Sequence, residues 1–197
     1  MDFVLSKMAE PLPPGAALTL AFISSAEEAD FVRFLDGGVW SGELKRRVQH
    51  FGYRYDYKAR AVTSDAYLGH LPLWLQALGQ HLVAAGHFDE LPDQVIANEY
   101  LPGQGISAHV DCEPCFSDTI VSLSLLSSCE MVFREKASGA RQGVILEPCS
   151  VVVMKDAARY AWTHEIPSRK SDVILGNKVE RSRRISLTFR KVIRAQG

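Results

Sequence analysis

The second half of the sequence consists of short apolar runs separated by Gly, Pro, Ser and Asp. These runs cover residues 95–100, 119–125, 131–134, 143–146, 150–154 and 184–192. Runs of this length between turn residues are typical of β-strands. Because every strand must bury an apolar face, so many strands in succession predict a β-sandwich or barrel.

Two helices are predicted ahead of these strands. The first follows the capping-box pattern Ser25-Ala-Glu-Glu28 and ends at Gly37-Gly38. The second is predicted over residues 73–85, where apolar side chains recur on one face. Helices followed by strands indicate an α+β fold with N-terminal helices buttressing the sheets, rather than an alternating parallel sheet. Residues 1–16 are predicted to be an extended leader, and residues 168–183 a turn-rich insert.

The composition is that of an ordinary soluble domain. The 197 residues are 47% hydrophobic and 23% charged, with a net charge of -1, which predicts one folded unit, here expected to be a monomer. No signal peptide or membrane span is evident, so we expect an intracellular, cytoplasmic protein, or a nuclear one in a eukaryote. The net charge does not indicate nucleic-acid binding. Basic residues nevertheless bunch near 45–60 and 169–194, either as a basic rim or as solvated loops.

The four cysteines are too few for a disulfide scaffold and favour a reducing compartment. Cys112-Glu-Pro-Cys115 could indicate zinc or redox chemistry. A zinc site would need further ligands at matching spacing, and Cys129 and Cys149 stand alone.

A metal motif is formed by His109-Val-Asp111 together with the distant His164. On an extended backbone, residues two apart lie on the same side, so His109 and Asp111 can reach one ion. Two imidazoles and one carboxylate suit Fe(II) and leave positions open for chemistry. The alternative is three unrelated polar residues. A second H-x-D, His87-Phe-Asp89, follows the second helix and is interpreted as a surface feature.

The C-terminal run from Arg184 to Arg190 alternates strictly between polar and apolar residues. Small Ser186 and Thr188 separate the two arginines on the polar face, which leaves room for a small anion such as a dicarboxylate. The alternative is an exposed edge strand with ordinary surface arginines.

Taken in order, the motifs resemble the AlkB family of Fe(II)/2-oxoglutarate dioxygenases over residues 94–192. The motifs are Asn98-x-Tyr100, Pro102-Gly103-x-Gly105-Ile106, His109-x-Asp111, His164 and Arg184-x5-Arg190. Three further segments are similar to the branch that hydroxylates modified wobble uridines in transfer RNA: His50-Phe-Gly-Tyr53-x-Tyr55, Asp118-x-Ile120-Val-Ser-Leu-Ser-Leu125 and Arg159-Tyr-x-Trp162-x-His164.

The resemblance implies a double-stranded β-helix, or jelly roll, that uses Fe(II), 2-oxoglutarate and O2. Residues 92–197 would form this core, and residues 1–91 the helical support and a nucleotide-recognition lid. Iron would be held by His109, Asp111 and His164. Tyr100 and Arg184 would bind the distal carboxylate of 2-oxoglutarate, and Asn98 and Arg190 the carboxylate beside iron.

The same resemblance suggests where a substrate binds. The lid would span residues 46–67, with Tyr53 and Tyr55 as base or backbone contacts, although either could pack in the core. Trp162 is a further candidate. Glu113 lies two positions beyond the iron aspartate and could accept a hydrogen bond from an exocyclic amine, or be a surface acid. Glu165 stands where the family commonly has glycine.

The expected activity is oxidative dealkylation of N-alkylated bases in DNA or RNA, with the target base extruded into the site. One alternative is hydroxylation of a modified RNA base such as wobble uridine. Another is a protein side-chain oxygenase or demethylase. A non-catalytic binding module is disfavoured because the triad and both arginines are present.

Overall fold

The computed structural model describes residues 12–63 and 65–193. Its elements in chain order are β1 (Ala16–Thr19), α1 (Ser25–Asp36), β2 (Arg47–Phe51), α2 (Leu73–Ala84), β3 (Gln94–Tyr100), β4 (Ile106–His109), β5 (Phe116–Leu125), β6 (Cys129–Glu135), β7 (Arg141–Leu146), β8 (Val151–Met154), α3 (Asp156–Tyr160), β9 (Trp162–Ile166), β10 (Ser171–Ile174), β11 (Asn177–Glu180) and β12 (Arg184–Val192). Residues 1–11 of the predicted leader lie outside the described residues, as does the C-terminal end of the last basic bunch.

The strands form two antiparallel sheets and a separate hairpin. The major sheet has six strands in the order β1-β8-β5-β12-β3-β2, and the minor sheet has four in the order β4-β9-β6-β7. Strands that are distant in sequence are neighbours in both sheets, as in a jelly roll. The predicted double-stranded β-helix with few helices is therefore confirmed.

Both faces of the major sheet are buried. On one face, Leu75 and Leu82 of α2 and Leu35 of α1 pack in a cluster with Val121 and Leu187 of the sheet. On the other face, a second cluster joins major-sheet residues to the inner side of the minor sheet, among them Ile120, Met154, Phe133, Trp162 and Ile166. Helices α1 and α2 have 12 residues each, and in the described part of the chain no helix is long and apolar enough to cross a membrane.

Strand β12 lies in the middle of the major sheet, between β5 and β3. Ile185, Leu187 and Phe189 pack in the cluster beneath the helices, whereas Arg184 and Arg190 point into a cavity between the sheets. The predicted alternation is confirmed, and the alternative of an exposed edge strand is wrong because strands pair with both edges of β12.

The N-terminal part differs from the prediction in two details. Its helices are accompanied by β1 and β2, which pair with β8 and β3 of the major sheet. The capping box begins one residue earlier than predicted: the Glu27 N–H donates to Ser24 Oγ and the Ser24 N–H donates to the Glu27 carboxylate. The division at residue 91 stays a prediction, although β1 and β2 complete the same sheet as the core strands.

The predicted insert 168–183 contains the β10–β11 hairpin. Its anchor is the buried carboxylate of Asp172, which accepts hydrogen bonds from Arg181 Nε at 2.6 Å and Arg169 Nε at 2.8 Å. Local hairpin pairing and this ion cluster order a segment that its turn residues predicted to be irregular.

Gly105 precedes β4, and a side chain there would collide with the neighbouring strand. An added Cβ would overlap the Ile166 carbonyl oxygen of β9 and crowd Ser168. We expect Gly105→Ala to lower the free energy of unfolding by about 1–3 kcal/mol, as overpacking does, measured by denaturant titration. Gly42→Ala is the control, because nothing lies within 4 Å of an added Cβ at position 42. Equal stability of the two variants would contradict the close approach of β4 to β9.

Candidate metal and co-substrate site

The two histidines of the predicted triad lie on neighbouring strands of the minor sheet. His109 ends β4 and His164 is the middle residue of β9, and their Cα atoms are register partners. Their ring centroids are 4.4 Å apart. The Nδ1 atom of His109 lies 2.8 Å from the Ser107 carbonyl oxygen, to which it can only donate. Nε2 of His109 is therefore free to bind a metal ion.

Asp111 lies beyond the end of β4 and is held by Arg190 of the major sheet. Nε and Nη2 of Arg190 donate to the same carboxylate oxygen, Asp111 Oδ1, at 2.9 and 2.6 Å. The other oxygen, Oδ2, lies 3.5 Å from His164 Nε2. Arg190 therefore fixes the carboxylate so that one oxygen faces the histidines.

The protonation states of the buried ligands suit metal binding. Burial, together with the neighbouring His109, lowers the pKa of His164 to about 3, although Asp111 acts in the opposite direction. Burial would raise the pKa of Asp111, but Arg190 and the two histidines outweigh it and hold the pKa well below its usual range. At neutral pH, His164 is thus a neutral imidazole and Asp111 a carboxylate, which are the forms that coordinate a cation.

His109, Asp111 and His164 each offer a ligand atom, and these atoms all lie within 4.8 Å of one another. This is the one such group found in residues 12–63 and 65–193. A 2-His-1-carboxylate set with this compact arrangement fits Fe(II). His87 of the second H-x-D is not part of it and lies beside Phe22 instead, with the two ring centroids 5.5 Å apart.

The predicted 2-oxoglutarate residues share one face of two neighbouring strands. In the pairing of β12 with β3, Arg184 is opposite Tyr100, Ser186 is opposite Asn98, and Arg190 is opposite Gln94. Arg184 is 3% exposed and donates from Nη2 to Ser124 Oγ at 2.9 Å. Its Nε and Nη1 are buried and have no hydrogen-bond partner in the described residues. Such unsatisfied guanidinium donors fit a carboxylate ligand.

These residues line one cavity of about 420 Å³ between the sheets, a size typical of small-ligand sites. It brings together eight of the predicted site residues: Asn98, Tyr100, His109, Asp111, His164, Arg184, Arg190 and Tyr55.

Three predicted substrate residues lie away from this cavity. Glu113 is exposed in the turn after Asp111. Trp162 is 5% exposed and packs in the core between the sheets. Tyr53 packs against Tyr67, with ring centroids 5.1 Å apart, beside a separate pocket. Substrate roles for these three residues are not supported by their positions. Glu165 alternates with the buried His164 along β9 and is half-buried on the opposite face.

Four residues that shape the site were not predicted as site residues. Arg46, Tyr57 and Arg60 line the cavity and come from the chain between α1 and α2. Arg159 of α3 is 3% exposed and donates to the backbone carbonyls of Asp111, at 2.9 Å, and Cys112, at 3.3 Å. It thereby holds the backbone that carries the aspartate. In the sequence, Arg159 gave a signal only as part of the Arg159-Tyr-x-Trp162 resemblance.

Cys112 and Cys115 form a disulfide, whereas Cys129 and Cys149 are free. The turn after Asp111 brings the two side chains together. The reducing compartment that the cysteine count favours stays a prediction. The Cys112 sulfur lies 3.3 Å from the Arg60 carbonyl oxygen, and as a disulfide sulfur it has no hydrogen to donate.

Comparison with known proteins agrees with this geometry. The sequence profile described as the 2OG-Fe(II) oxygenase superfamily matches residues 39–190. The chain belongs to this superfamily. It is an oxygenase whose family uses Fe(II), 2-oxoglutarate and O2, and the triad could hold an iron ion of this kind.

The relatives of this 2OG-Fe(II) oxygenase include AlkB homologues, which confirms the AlkB resemblance. It is 36% identical to the Arabidopsis thaliana "Alkylated DNA repair protein ALKBH8 homolog" over 91% of the chain and 58% of that protein. It is also 36% identical to the Mus musculus "tRNA (carboxymethyluridine(34)-5-O)-methyltransferase ALKBH8" over 94% of the chain and 31% of that protein. The chain therefore spans only part of both relatives. The solved structure of OsALKBH1 superposes with a TM-score of 0.71 at 18% identity, covering 92% of this chain and 99% of that one.

Replacing His109 should remove iron binding and turnover. We expect His109→Ala to abolish succinate formation from 2-oxoglutarate, because two remaining ligands cannot hold the ion in place. Iron content and succinate should be measured together. His87→Ala tests the second H-x-D and should keep both at the level of the unmodified protein. Loss of iron from the His87 variant alone would reverse the assignment.

Arg184→Lys should weaken 2-oxoglutarate binding. Lysine cannot reproduce the two unpaired guanidinium donors, and each charge-assisted hydrogen bond lost costs about 1.5–3 kcal/mol. We therefore expect the KM for 2-oxoglutarate to rise roughly tenfold or more, while iron content is unchanged. Arg134→Lys is the matched control, since Arg134 is exposed on β6. An unchanged KM in the Arg184 variant would refute this role.

Proposed function

We propose that this oxygenase oxidises a base of a nucleic acid, most favourably a modified uridine in RNA. In this proposal His109, Asp111 and His164 hold iron, and Tyr100 and Arg184 bind the distal carboxylate of 2-oxoglutarate. Asn98 and the remaining hydrogens of Arg190 bind the carboxylate beside iron. The target nucleotide is extruded into the cavity, as enzymes that act on bases require.

The preference for uridine is based on the hydrogen-bonding groups of the cavity wall, which are mostly donors. Among the described residues that line it, Asp111 is the single carboxylate, and Arg190 already binds that group. Arg46, Arg60, Tyr55 and Tyr57 instead present hydrogen-bond donors. Uracil offers carbonyl acceptors, whereas adenine and cytosine offer exocyclic amines that need an acceptor. Glu113, the predicted acceptor for such an amine, lies outside the cavity.

When bound, iron and 2-oxoglutarate use O2 to hydroxylate a C–H bond, and this chemistry belongs to the metal and co-substrate. The chain holds the ligands and excludes water. Arg190 orients the Asp111 carboxylate, Arg159 fixes the backbone beneath it, and the buried face of β12 keeps the guanidinium donors away from solvent.

Oxidative dealkylation of an N-alkylated base in DNA or RNA is the second candidate, supported by the name of the Arabidopsis relative, an alkylated DNA repair protein homologue. The two activities differ only in the attacked carbon. A hydroxylated N-methyl group is lost as formaldehyde, whereas a hydroxyl on a carbon substituent of uridine stays on the base. The products therefore separate the candidates.

One competition assay tests the proposal. The purified chain, with Fe(II), 2-oxoglutarate and ascorbate, is offered RNA containing a 5-substituted uridine, RNA and single-stranded DNA containing N-methylated adenine or cytosine, and a methyl-lysine peptide. We expect the uridine RNA to gain one oxygen atom by mass spectrometry, because the donor-lined cavity accepts its carbonyl edge.

The His109→Ala protein is the control for oxidation without the enzyme. Release of formaldehyde from a methylated base, with no oxygen added to uridine, would favour the second candidate. Oxidation confined to the peptide would refute both nucleic-acid activities.

A further inference from the structure

The chain between α1 and α2 supplies four side chains to the cavity, and all of them are arginine or tyrosine: Arg46, Tyr55, Tyr57 and Arg60. None of the four belongs to the metal triad or to the predicted 2-oxoglutarate set. They form a donor-rich part of the cavity wall whose ligand is not yet accounted for.

The cavity carries more positive charge than its known ligands neutralise. Four arginines line it, against the single carboxylate of Asp111, which Arg190 binds. Fe(II) and 2-oxoglutarate carry equal and opposite formal charges, so their binding leaves this excess in place. Arg184 has its own unpaired donors for 2-oxoglutarate. With Arg190 bound to Asp111 and Arg184 assigned to 2-oxoglutarate, Arg46 and Arg60 are the two arginines of the cavity whose charge has no assigned partner.

Neither Arg46 nor Arg60 forms an ion pair with any carboxylate in the described ranges. Their neighbours do: Arg47 binds Glu99 at 2.5 Å, and Arg54 lies 3.4 Å from Glu43. Acidic partners are thus present on this part of the surface but do not pair with the two arginines that face the cavity. Arg46 is half-buried and Arg60 is exposed at the cavity. Guanidinium groups that line a cavity without a carboxylate partner are suited to an anionic ligand.

Arg46 is also held in a fixed orientation. Its Nε donates to Asn98 Oδ1 at 2.9 Å, and its guanidinium lies 5.9 Å from the centre of the Tyr100 ring. This contact leaves the two terminal nitrogens available as a fork. A fork with its direction already set loses little conformational entropy when it binds a carboxylate or phosphate.

The hydroxyl of Tyr57 is the third group. It is buried and has no hydrogen-bond partner in residues 12–63 and 65–193. Burial raises the pKa of Tyr57 to about 12, and Arg46 and Arg190 act against this rise, so the hydroxyl is protonated and can donate at neutral pH. An unpartnered buried donor destabilises the free protein, and an acceptor bound in the cavity would satisfy it.

We propose that Arg46, Arg60 and the Tyr57 hydroxyl form a subsite for an oxyanion of the substrate, either a phosphate of the bound nucleotide or an acidic group on its base. This inference rests on the proposed function, because it takes the ligand to be a nucleotide. The hydrogen-bond donors of the cavity wall favour uridine, and the subsite would in addition recognise a negative charge on the substrate. It positions the substrate and takes no part in oxygen transfer.

Calorimetric titration of the full chain, loaded with Fe(II) and 2-oxoglutarate without oxygen, tests the subsite. The probes are uridine, uridine 5′-monophosphate, and uridine carrying a carboxymethyl group at C5. Tighter binding of the monophosphate than of uridine identifies a phosphate as the anion, and tighter binding of the carboxymethyl nucleoside identifies a base substituent. If neither anionic probe binds more tightly than uridine, the subsite is refuted.

Two variants then assign the binding to the named residues. Tyr57→Phe removes only the hydroxyl and should raise the Kd of the anionic probe about fivefold to tenfold, as expected for one lost hydrogen bond. Arg46→Gln should raise this Kd about tenfold or more, as expected for lost charge-assisted hydrogen bonds. The Kd of uridine should rise by a smaller factor in both variants, because uridine lacks the anion that the subsite binds. The controls are Tyr160→Phe and Arg54→Gln, which change a tyrosine and an arginine outside this cavity and should leave every Kd unchanged.

Thermal unfolding separates this role from a structural one. Without ligand, Tyr57→Phe should have an equal or higher Tm, because it removes an unsatisfied buried group. A lower Tm with an unchanged Kd would mean that the hydroxyl is structural, and a raised Kd for 2-oxoglutarate alone would mean that these residues bind the co-substrate. Either result overturns the proposal. The titration measures binding and not turnover. A protein that binds the anionic probe but oxidises no base would therefore support the subsite and refute the proposed function. A protein that oxidises a base but does not prefer an anionic probe would refute the subsite alone.

Discussion

The arrangement of the site depends on the buried ion pair between Arg190 and Asp111. A carboxylate this deeply buried is strongly destabilising unless a cation and hydrogen bonds compensate it. Arg190 places two N–H groups on one oxygen of Asp111 and leaves the other facing His164. Arg190 belongs to β12 in the middle of the major sheet. The orientation of the Asp111 carboxylate, which follows a strand of the minor sheet, therefore depends on strand pairing in the major sheet.

The same strand pairing sets the co-substrate end of the cavity. Tyr100 stands opposite Arg184, and Asn98 stands opposite Ser186. A shift of β12 by one residue would turn Arg184 and Ser186 toward the helices and bring apolar residues into the cavity. The core beneath α1 and α2 prevents such a shift, since it needs Leu187 and Phe189 on its own side. Hydrophobic packing on one face of β12 thus fixes the polar chemistry on the other.

Periodicity in the sequence predicted the parts of the site that lie on regular strands or directly after one. The polar face of β12 and the His109-Val-Asp111 pair follow directly from the two-residue repeat of an extended chain. Glu113 was placed near the substrate by the family resemblance, but the chain turns after Asp111 and Glu113 is exposed outside the cavity. Cys112 accepts hydrogen bonds from the N–H groups of Cys115 and Phe116, and this turn points Glu113 outward.

Other features depended on contacts between distant residues and left no local signal. Strands β1, β2, β4 and β9 have four or five residues each, too few for a clear alternation. Arg46, Tyr57 and Arg60 occupy a segment without regular structure, so nothing in their spacing indicates that they share a cavity. The disulfide likewise depends on the turn at Cys112, which the spacing alone left open to zinc or redox chemistry.

The segment that carries Tyr55, Tyr57 and Arg60 is attached to the fold in an unusual way. It is closed by the isolated bridges Tyr53–Tyr67 and Asp56–Ala61 rather than by a strand of either sheet. Sequence changes in it can therefore alter the cavity wall without disturbing β3, β12 or the metal ligands, as is general for loops on a rigid scaffold. Substitutions in this segment can thus change which substrate binds while the metal and co-substrate residues stay the same. Homologues with the same metal site therefore need not share a substrate.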